Sequence, residues 1–188
     1  MSVLVFIDQA DEQIKKSSFE AASYAAKTAG LLGNHADSVL LGTLQTDSAE
    51  LGKYGIKKVY TVANEALNNF DAQQFTKILA TAVETSGADV IVFSNNSTGK
   101  AIAPRLSARL KAGLVAGAIA LPEIADGFIV KKSVFSGKAF ANIKVVSAKR
   151  IISLNVNAYT TLEGTGTAEV VALDAAVDAA KVEVVSVD

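Results

Sequence analysis

Between Val3 and Phe93 four short apolar runs alternate with polar turns and helix-patterned stretches, and this alternation limits the fold more than any single motif. The runs cover 3–7, 38–44, 59–62 and 90–93. Continuous apolar runs of this length, bounded by turn residues, read as strands buried on both faces. After the first run, Phe19, Ala22, Ala26 and Ala29 recur at helical spacing over 19–32, and Gly33 stands just past the end. Ser17-x-x-Glu20 matches a capping box, with Ser17 or Ser18 as the N-cap. Asp47 or Ser48 opens a short helix that Gly52 and Gly55 close. Asp71-x-x-Gln74 is a second capping box; behind it Phe75, Ile78, Leu79, Ala82 and Val83 form one apolar face, ended by Gly87. Strands separated by helices in this order predict an α/β fold with a doubly wound, mainly parallel sheet.

Past Gly113 the pattern changes. The runs 114–121, 128–135, 139–146 and 150–156 are separated by Pro122, Asp126-Gly127, Ser136-Gly137 and residues 147–149. These gaps are too short for a crossover helix. The last third is therefore expected to add strands as hairpins or a meander, some of them antiparallel. A Gly/Thr-rich loop at 160–167 precedes two further strands, 168–173 and 182–187. The last run is still apolar at Asp188, so the chain is expected to be cut from a longer protein. With 188 residues it is long enough for one domain, which at this size buries about 70% of its unfolded surface.

Composition removes several classes of chemistry. There is no cysteine, hence no disulfide, thiolate metal site or cysteine nucleophile, and His35 is the only histidine, too few for zinc. A net charge of −1 provides no basic field for nucleic acid. The N-terminus enters a strand directly, without the pattern of a signal or transit peptide, and no apolar run approaches the ~18 residues of a membrane span. A cytoplasmic bacterial protein, not inserted in a membrane, is expected.

The stretch 88–110 is the strongest candidate for a site. It reads as a buried strand, a polar turn of Asn95, Asn96, Ser97, Thr98, Gly99 and Lys100, and a helix presenting Ile102, Ala103, Leu106 and Leu110 on one face. Open α/β sheets take ligands at the carboxyl ends of their strands. The turn could cradle a phosphate on helix N–H groups with Ser97, Thr98 and Lys100; alternatively Ser97 or Thr98 caps the helix and Gly99 relieves the turn. It is not a P-loop. Pro104 predicts a fresh helix start or a kink. After the first strand stands Asp8-Gln9-Ala10-Asp11, whose carboxylates would repel a pyrophosphate. Asp8 either holds a metal or a ribose or makes a turn; His35 belongs to a surface loop with no visible partner; Lys131-Lys132 and Lys149-Arg150 are solvated edges or hairpin tips. No metal set and no catalytic set assembles, which points to a scaffold or binding half and not an enzyme.

Leu51-Gly52-Lys53-Tyr54-Gly55 with Lys58-Val59-Tyr60, then Ala88-Asp89-Val90-Ile91-Val92-Phe93, then Gly99-Lys100-x-x-x-Pro104-Arg105-Leu106-x-Ala108-x-Leu110, resemble the α subunit of electron transfer flavoprotein. Phe135-Ser136-Gly137-Lys138-Ala139 is similar to that family's Gly–x–Ala element between strands, and Asn157-Ala158-Tyr159 half matches its Arg-Pro-Asn-x-Phe segment. The ordered set spans Val3 to Val187.

The resemblance implies an adenine nucleotide alpha hydrolase-like fold, with 1–188 forming the single N-terminal domain of the α subunit, ending before the FAD domain. It implies a carrier that moves electrons from flavin dehydrogenases, such as the acyl-CoA dehydrogenases of fatty acid β-oxidation, to a quinone oxidoreductase or another acceptor. FAD belongs to the full-length protein and none is expected in this segment. The domain's work would be to pair with a β subunit and support the flavin domain. The family's β subunit binds AMP at the equivalent turn and the α subunit does not, so Asn95 to Lys100 would be a vestigial nucleotide turn. The alternative is an adenine-nucleotide-binding module of universal-stress type that uses the same turn.

Overall fold

The computed structural model describes residues 1–179; the expected strand 182–187 lies outside them. In chain order the elements are β1 (Ser2–Ile7), β2 (Gln9–Ala10), β3 (Gln13–Ile14), α1 (Lys16–Leu31), β4 (Ala36–Leu41), a 3-10 helix (Ser48–Tyr54), β5 (Ile56–Val62), α2 (Ala72–Ser86), β6 (Ala88–Ser94) and α3 (Ser97–Leu110). Then follow β7 (Gly113–Ala118), β8 (Ile129–Val134), β9 (Ala139–Lys144), β10 (Arg150–Leu154) and β11 (Glu169–Ala172). Nine strands form one sheet in the order β11-β5-β4-β1-β6-β10-β7-β8-β9, parallel except where β8 pairs with β7 and β9. Helices cover both faces, which is why the central strands are apolar at consecutive positions. Val3, Val5 and Ile7 of β1 turn to the α1 face and pack with Ala21, Ala22 and Tyr24. Leu4 and Phe6 turn to the other face, with Ile78 and Leu79 of α2 and Ile102 and Leu106 of α3.

The doubly wound α/β fold is as the alternation predicts. Asp71 caps α2, its Oδ1 accepting from the N–H groups of Gln73 (2.7 Å) and Gln74 (3.1 Å). Asp71→Ala is expected to lower stability by about 1 kcal/mol, measurable by urea denaturation, whereas an unchanged midpoint would mean the cap is idle.

Several expectations are corrected. β10 is no member of a meander: it lies parallel between β6 and β7. The excursion through β8 and β9 returns the chain to the start of β7, where the Gly113 N–H donates to Ser147 Oγ at 2.8 Å, so β10 runs beside β7 in the same direction. The box at Ser17 and Glu20 is not made. Helix α1 starts at Lys16 with no side-chain cap, and both Ser18 and Glu20 are buried and used elsewhere. Glu20 Oε2 accepts from the Asn157 N–H (2.8 Å) and Ser23 Oγ from the Leu162 N–H (3.0 Å). These bonds hold a strap, residues 155–168, that crosses α1 from β10, inside the sheet, to β11 at its edge. Gly52 lets the strap reach the 3-10 helix, because a Cβ there would overlap the Thr167 and Ala168 backbone. Helix α3 continues across Pro104 with no fresh start. Pro104 and Lys100 are both exposed, so the proline, which cannot donate to the Lys100 carbonyl, lies on the outer side of the helix. Lys149 and Arg150 are not solvated tips: the Lys149 ammonium donates to the Ala88 carbonyl (2.8 Å) and the Arg150 guanidinium lies 5.1 Å from the Phe128 ring centre.

Candidate functional site

The chain leaves β1 toward β4 and β5, then returns to add β6 on the other side of β1. This reversal opens a crevice at the carboxyl ends of β1 and β6, where ligands bind in folds of this type. Two features singled out in the sequence, Asp8 and the turn after β6, meet there. Asp8 follows β1 and is 5% exposed. One of its carboxylate oxygens, Oδ2, accepts from both the Lys15 ammonium and the Asn96 amide, each at 2.8 Å. Its main chain is held by Ser18, whose hydroxyl accepts from the Asp8 N–H and donates to the Asp8 carbonyl, both at 2.9 Å.

The turn is built from the same groups. Asn96 caps α3, with Oδ1 accepting from the Gly99 N–H at 2.9 Å; Ser97 and Thr98, the expected caps, are already inside the helix. Asn95 ties the turn to β10: its N–H donates to the Leu154 carbonyl (2.7 Å), its amide donates to Asn155 Oδ1 (2.8 Å), and its Oδ1 accepts from Ser153 Oγ (3.0 Å). Gly99 is required by close approach, since a Cβ there would overlap the Ser94 carbonyl oxygen. Lys100 is exposed, and Thr98 is buried beside the crevice.

The crevice is narrow. Its volume is about 40 Å³, lined among others by Asp8, Gln9, Lys15, Asn68 and Thr98. Where a dinucleotide fold has a glycine-rich loop, this chain has the β2–β3 hairpin, turned by Asp11 (φ 52°) and Glu12 (φ 60°). Glu12 clasps the hairpin to the loop after β4 by accepting from Thr43 Oγ1 at 2.7 Å. Among the described residues, no three His, Asp or Glu side chains are placed to hold a metal ion.

His35 precedes β4, at the amino end of the sheet and away from the crevice. It does have a partner: Nε2 lies 3.6 Å from Asp37 Oδ2. Burial pushes the Asp37 carboxyl above its ordinary 3.8, while His35 and the Lys58 N–H pull it back. A carboxyl whose proton is held more tightly when folded loses stability as pH rises through that window. The stability difference between the wild type and Asp37→Asn, from urea denaturation, is therefore expected to fall as pH rises from about 3.8; a rising difference would show that the ion pair outweighs burial.

Lys15, Ser18, Ser153 and Asn155 were not visible as site residues. Lys15 and Ser18, the latter read only as a possible helix cap, reach Asp8 because the β2–β3 hairpin brings the start of α1 back to the end of β1, whereas Ser153 and Asn155 reach Asn95 because β10 lies beside β6.

The sequence profile of the family described as "Electron transfer flavoprotein domain" matches residues 3–178. The chain is 28% identical over 142 residues to the electron transfer flavoprotein subunit alpha of Bacillus subtilis (strain 168), covering 75% of this chain and 43% of that protein. It is 27% identical over 142 residues to the subunit of the same name from Syntrophomonas wolfei, covering 75% of this chain and 44% of that one. It is 29% identical over 143 residues to the lactate dehydrogenase (NAD(+),ferredoxin) subunit LctC of Acetobacterium woodii, covering 75% of this chain and 34% of that one. The chain spans less than half the length of these relatives. With the match running through all eleven strands and both sides of the crevice, the chain belongs to the electron transfer flavoprotein family and fits the N-terminal domain of its alpha subunit.

Proposed function

We propose that this domain is the structural base of an electron carrier and not itself an enzyme: it pairs with a beta subunit and supports a flavin domain that lies outside residues 1–188. The observation that carries this reading is the occupied crevice. In a nucleotide-binding relative of this fold, the carboxyl ends of β1 and β6 would receive a phosphate. Here the Asp8 carboxylate, neutralised by Lys15, sits in that position and bonds the Asn96 amide. An anion approaching α3 meets a buried carboxylate first, which opposes the attraction of the helix N-terminus. Asn95 to Lys100 then act in folding, joining β1, β6 and β10, and form a vestigial nucleotide turn. FAD belongs to the whole protein, which takes electrons from flavin dehydrogenases, including acyl-CoA dehydrogenases, and passes them to a quinone oxidoreductase or another acceptor. No helix among the described residues is long and apolar enough to cross a membrane, and a carrier of this kind works in the cytoplasm.

The test is direct. Residues 1–188 purified alone are expected to show no flavin absorbance and to give no heat with millimolar AMP in titration calorimetry. Co-expressed with a beta subunit, the chain is expected to elute as a 1:1 complex. Stoichiometric flavin on the chain alone would overturn the placement of the cofactor. Saturable AMP binding would favour the nucleotide-binding alternative instead.

A further inference from the structure

Asp126-Gly127 is the one place in the sequence where aspartate or asparagine precedes glycine. The pair sits in the connection between β7 and β8, where Glu123 and Ile129 form an antiparallel bridge and the N–H of each donates to the other's carbonyl at 2.9 Å. Residues 124–128 close the loop between them. Gly127 takes φ 111°, a conformation that side chains rarely adopt, and a Cβ there would stand 2.7 Å from Lys144 Cε. The turn itself therefore requires glycine at 127. Asp126 is exposed, and among the described residues its carboxylate has no hydrogen-bond or ion-pair partner. Other aspartates are occupied: Asp47 and Asp71 accept from N–H groups of the helices they open, Asp37 from the Lys58 N–H, and Asp178 pairs with Lys77.

An aspartyl peptide in this setting can rearrange. The Gly127 nitrogen attacks Cγ of the Asp126 carboxylic acid; the new C–N bond closes a succinimide ring, and the carboxyl hydroxyl leaves with the amide proton as water. Water then adds to one of the two ring carbonyls. Addition at the Asp126 main-chain carbonyl breaks that carbon's bond to nitrogen and leaves the chain running through Cγ, as isoaspartate of unchanged mass. Three features of the turn favour the first step. A side chain on the following residue hinders the attack, and glycine has none. The Gly127 N–H is loosely used, donating to the Ile124 carbonyl at 3.3 Å. The Lys144 ammonium lies 3.3 Å from where a Cβ of Gly127 would stand, so a positive charge is close to the nitrogen that gives up its proton.

We propose that Asp126 is a spontaneous modification site of the folded protein, converting to isoaspartate, and that the conversion loosens the connection between β7 and β8. Isoaspartate adds a methylene to the main chain inside a loop whose ends are both fixed by the bridge of Glu123 with Ile129. The next residue, Phe128, is buried; its carbonyl accepts from the Val145 N–H at 2.8 Å and its ring lies 5.1 Å from the Arg150 guanidinium. Lengthening the loop acts on the bridge and on Phe128 together. The reaction needs only water, and the inference is independent of the electron-carrier reading.

The experiment ages the purified chain at neutral pH and body temperature beside Asp126→Ser, Lys144→Gln and the wild type held unfolded in urea. Isoaspartate is located by protease digestion and enzymatic carboxyl methylation. The folded wild type is expected to gain isoaspartate at 126 ahead of every other aspartate and asparagine. Asp126→Ser is expected to lose more than half of the total methylation, and Lys144→Gln to slow the reaction at 126 about twofold to fivefold. Both replaced side chains are exposed, so fresh samples of the variants are expected to melt with the wild type. In the isomerised fraction the Ile129 and Val145 amides are expected to exchange hydrogen faster than in fresh protein, and aged Asp126→Ser to show no such change. Isoaspartate at 126 in urea but not in the folded chain overturns the proposal, as does equal accumulation at other positions. An unchanged rate in Lys144→Gln overturns the part given to the ammonium, and unchanged exchange in the isomerised fraction overturns the loosening.

Discussion

Replacing Tyr24 by alanine is expected to cost about 3–5 kcal/mol, the range for truncating a large buried aromatic. Tyr24 lies on α1 and is completely buried. Its ring packs edge-on against Tyr159 of the strap, with centres 5.6 Å apart. Its hydroxyl donates to the Ala120 carbonyl at 2.9 Å, in the connection between β7 and β8. One side chain thus joins three segments far apart in sequence: a helix on the sheet face, the strap over that helix, and the start of the antiparallel extension. Burial pushes the phenol far above its ordinary value of 10. Tyr24→Phe keeps the ring and loses only the hydrogen bond, at about 1 kcal/mol. For a chain of this length the phenylalanine variant should melt about 2–4 °C lower and the alanine variant about 6–20 °C lower. Calorimetry or a urea series decides it. A cost below about 1 kcal/mol for Tyr24→Ala would mean that strap and helix are not coupled through this residue.

Gly99→Ala is expected to be destabilising, by about 2–3 kcal/mol, where the usual rule gives the opposite sign. Alanine inside a helix is ordinarily better than glycine by about 1 kcal/mol. At position 99 the new methyl would occupy the place of the Ser94 carbonyl oxygen. Backbone cannot rotate away as a side chain can, so α3 must lift from the end of β6. That movement also pulls Asn96 from Asp8 and loosens both ends of the crevice together. Gly30, in α1, provides the control: a Cβ there meets nothing within 4 Å, so Gly30→Ala should stabilise by about 0.5–1 kcal/mol. Measuring the two variants side by side separates helix propensity from close approach. Stabilisation by both would show that β6 and α3 are not as tightly seated as described.

Much of this protein was legible from its residues alone. Apolar runs at 3–7 and 90–93 required strands covered on both faces, because no half-exposed strand would tolerate hydrophobic side chains at every position. Asp71, Gly87 and the stripe from Phe75 to Val83 bounded α2, because those signals act over a few residues and need no distant partner. The change of style after Gly113 announced antiparallel strands, and β8 and β9 are such a pair. The order of motifs also identified the family.

Other features were decided only by tertiary structure. Nothing local distinguishes a β10 that meanders from one that slips between β6 and β7; the choice depends on where Ser147 and Gly113 meet, 34 residues apart. Glu20 looks like a capping residue until the strap arrives and offers the N–H of Asn157. The crevice is the clearest case. Asp8 and the turn after β6 were each noticed in the sequence, but separately, because Asp8 and Asn96 are 88 positions apart. Each alone looked like a possible contact for a ligand. Only the parallel pairing of β1 with β6 brings the Asn96 amide to the Asp8 carboxylate, and with Lys15 beside them the polar groups there bond one another. Sequence sets which groups can bond; the order of strands sets which of them come within 3 Å.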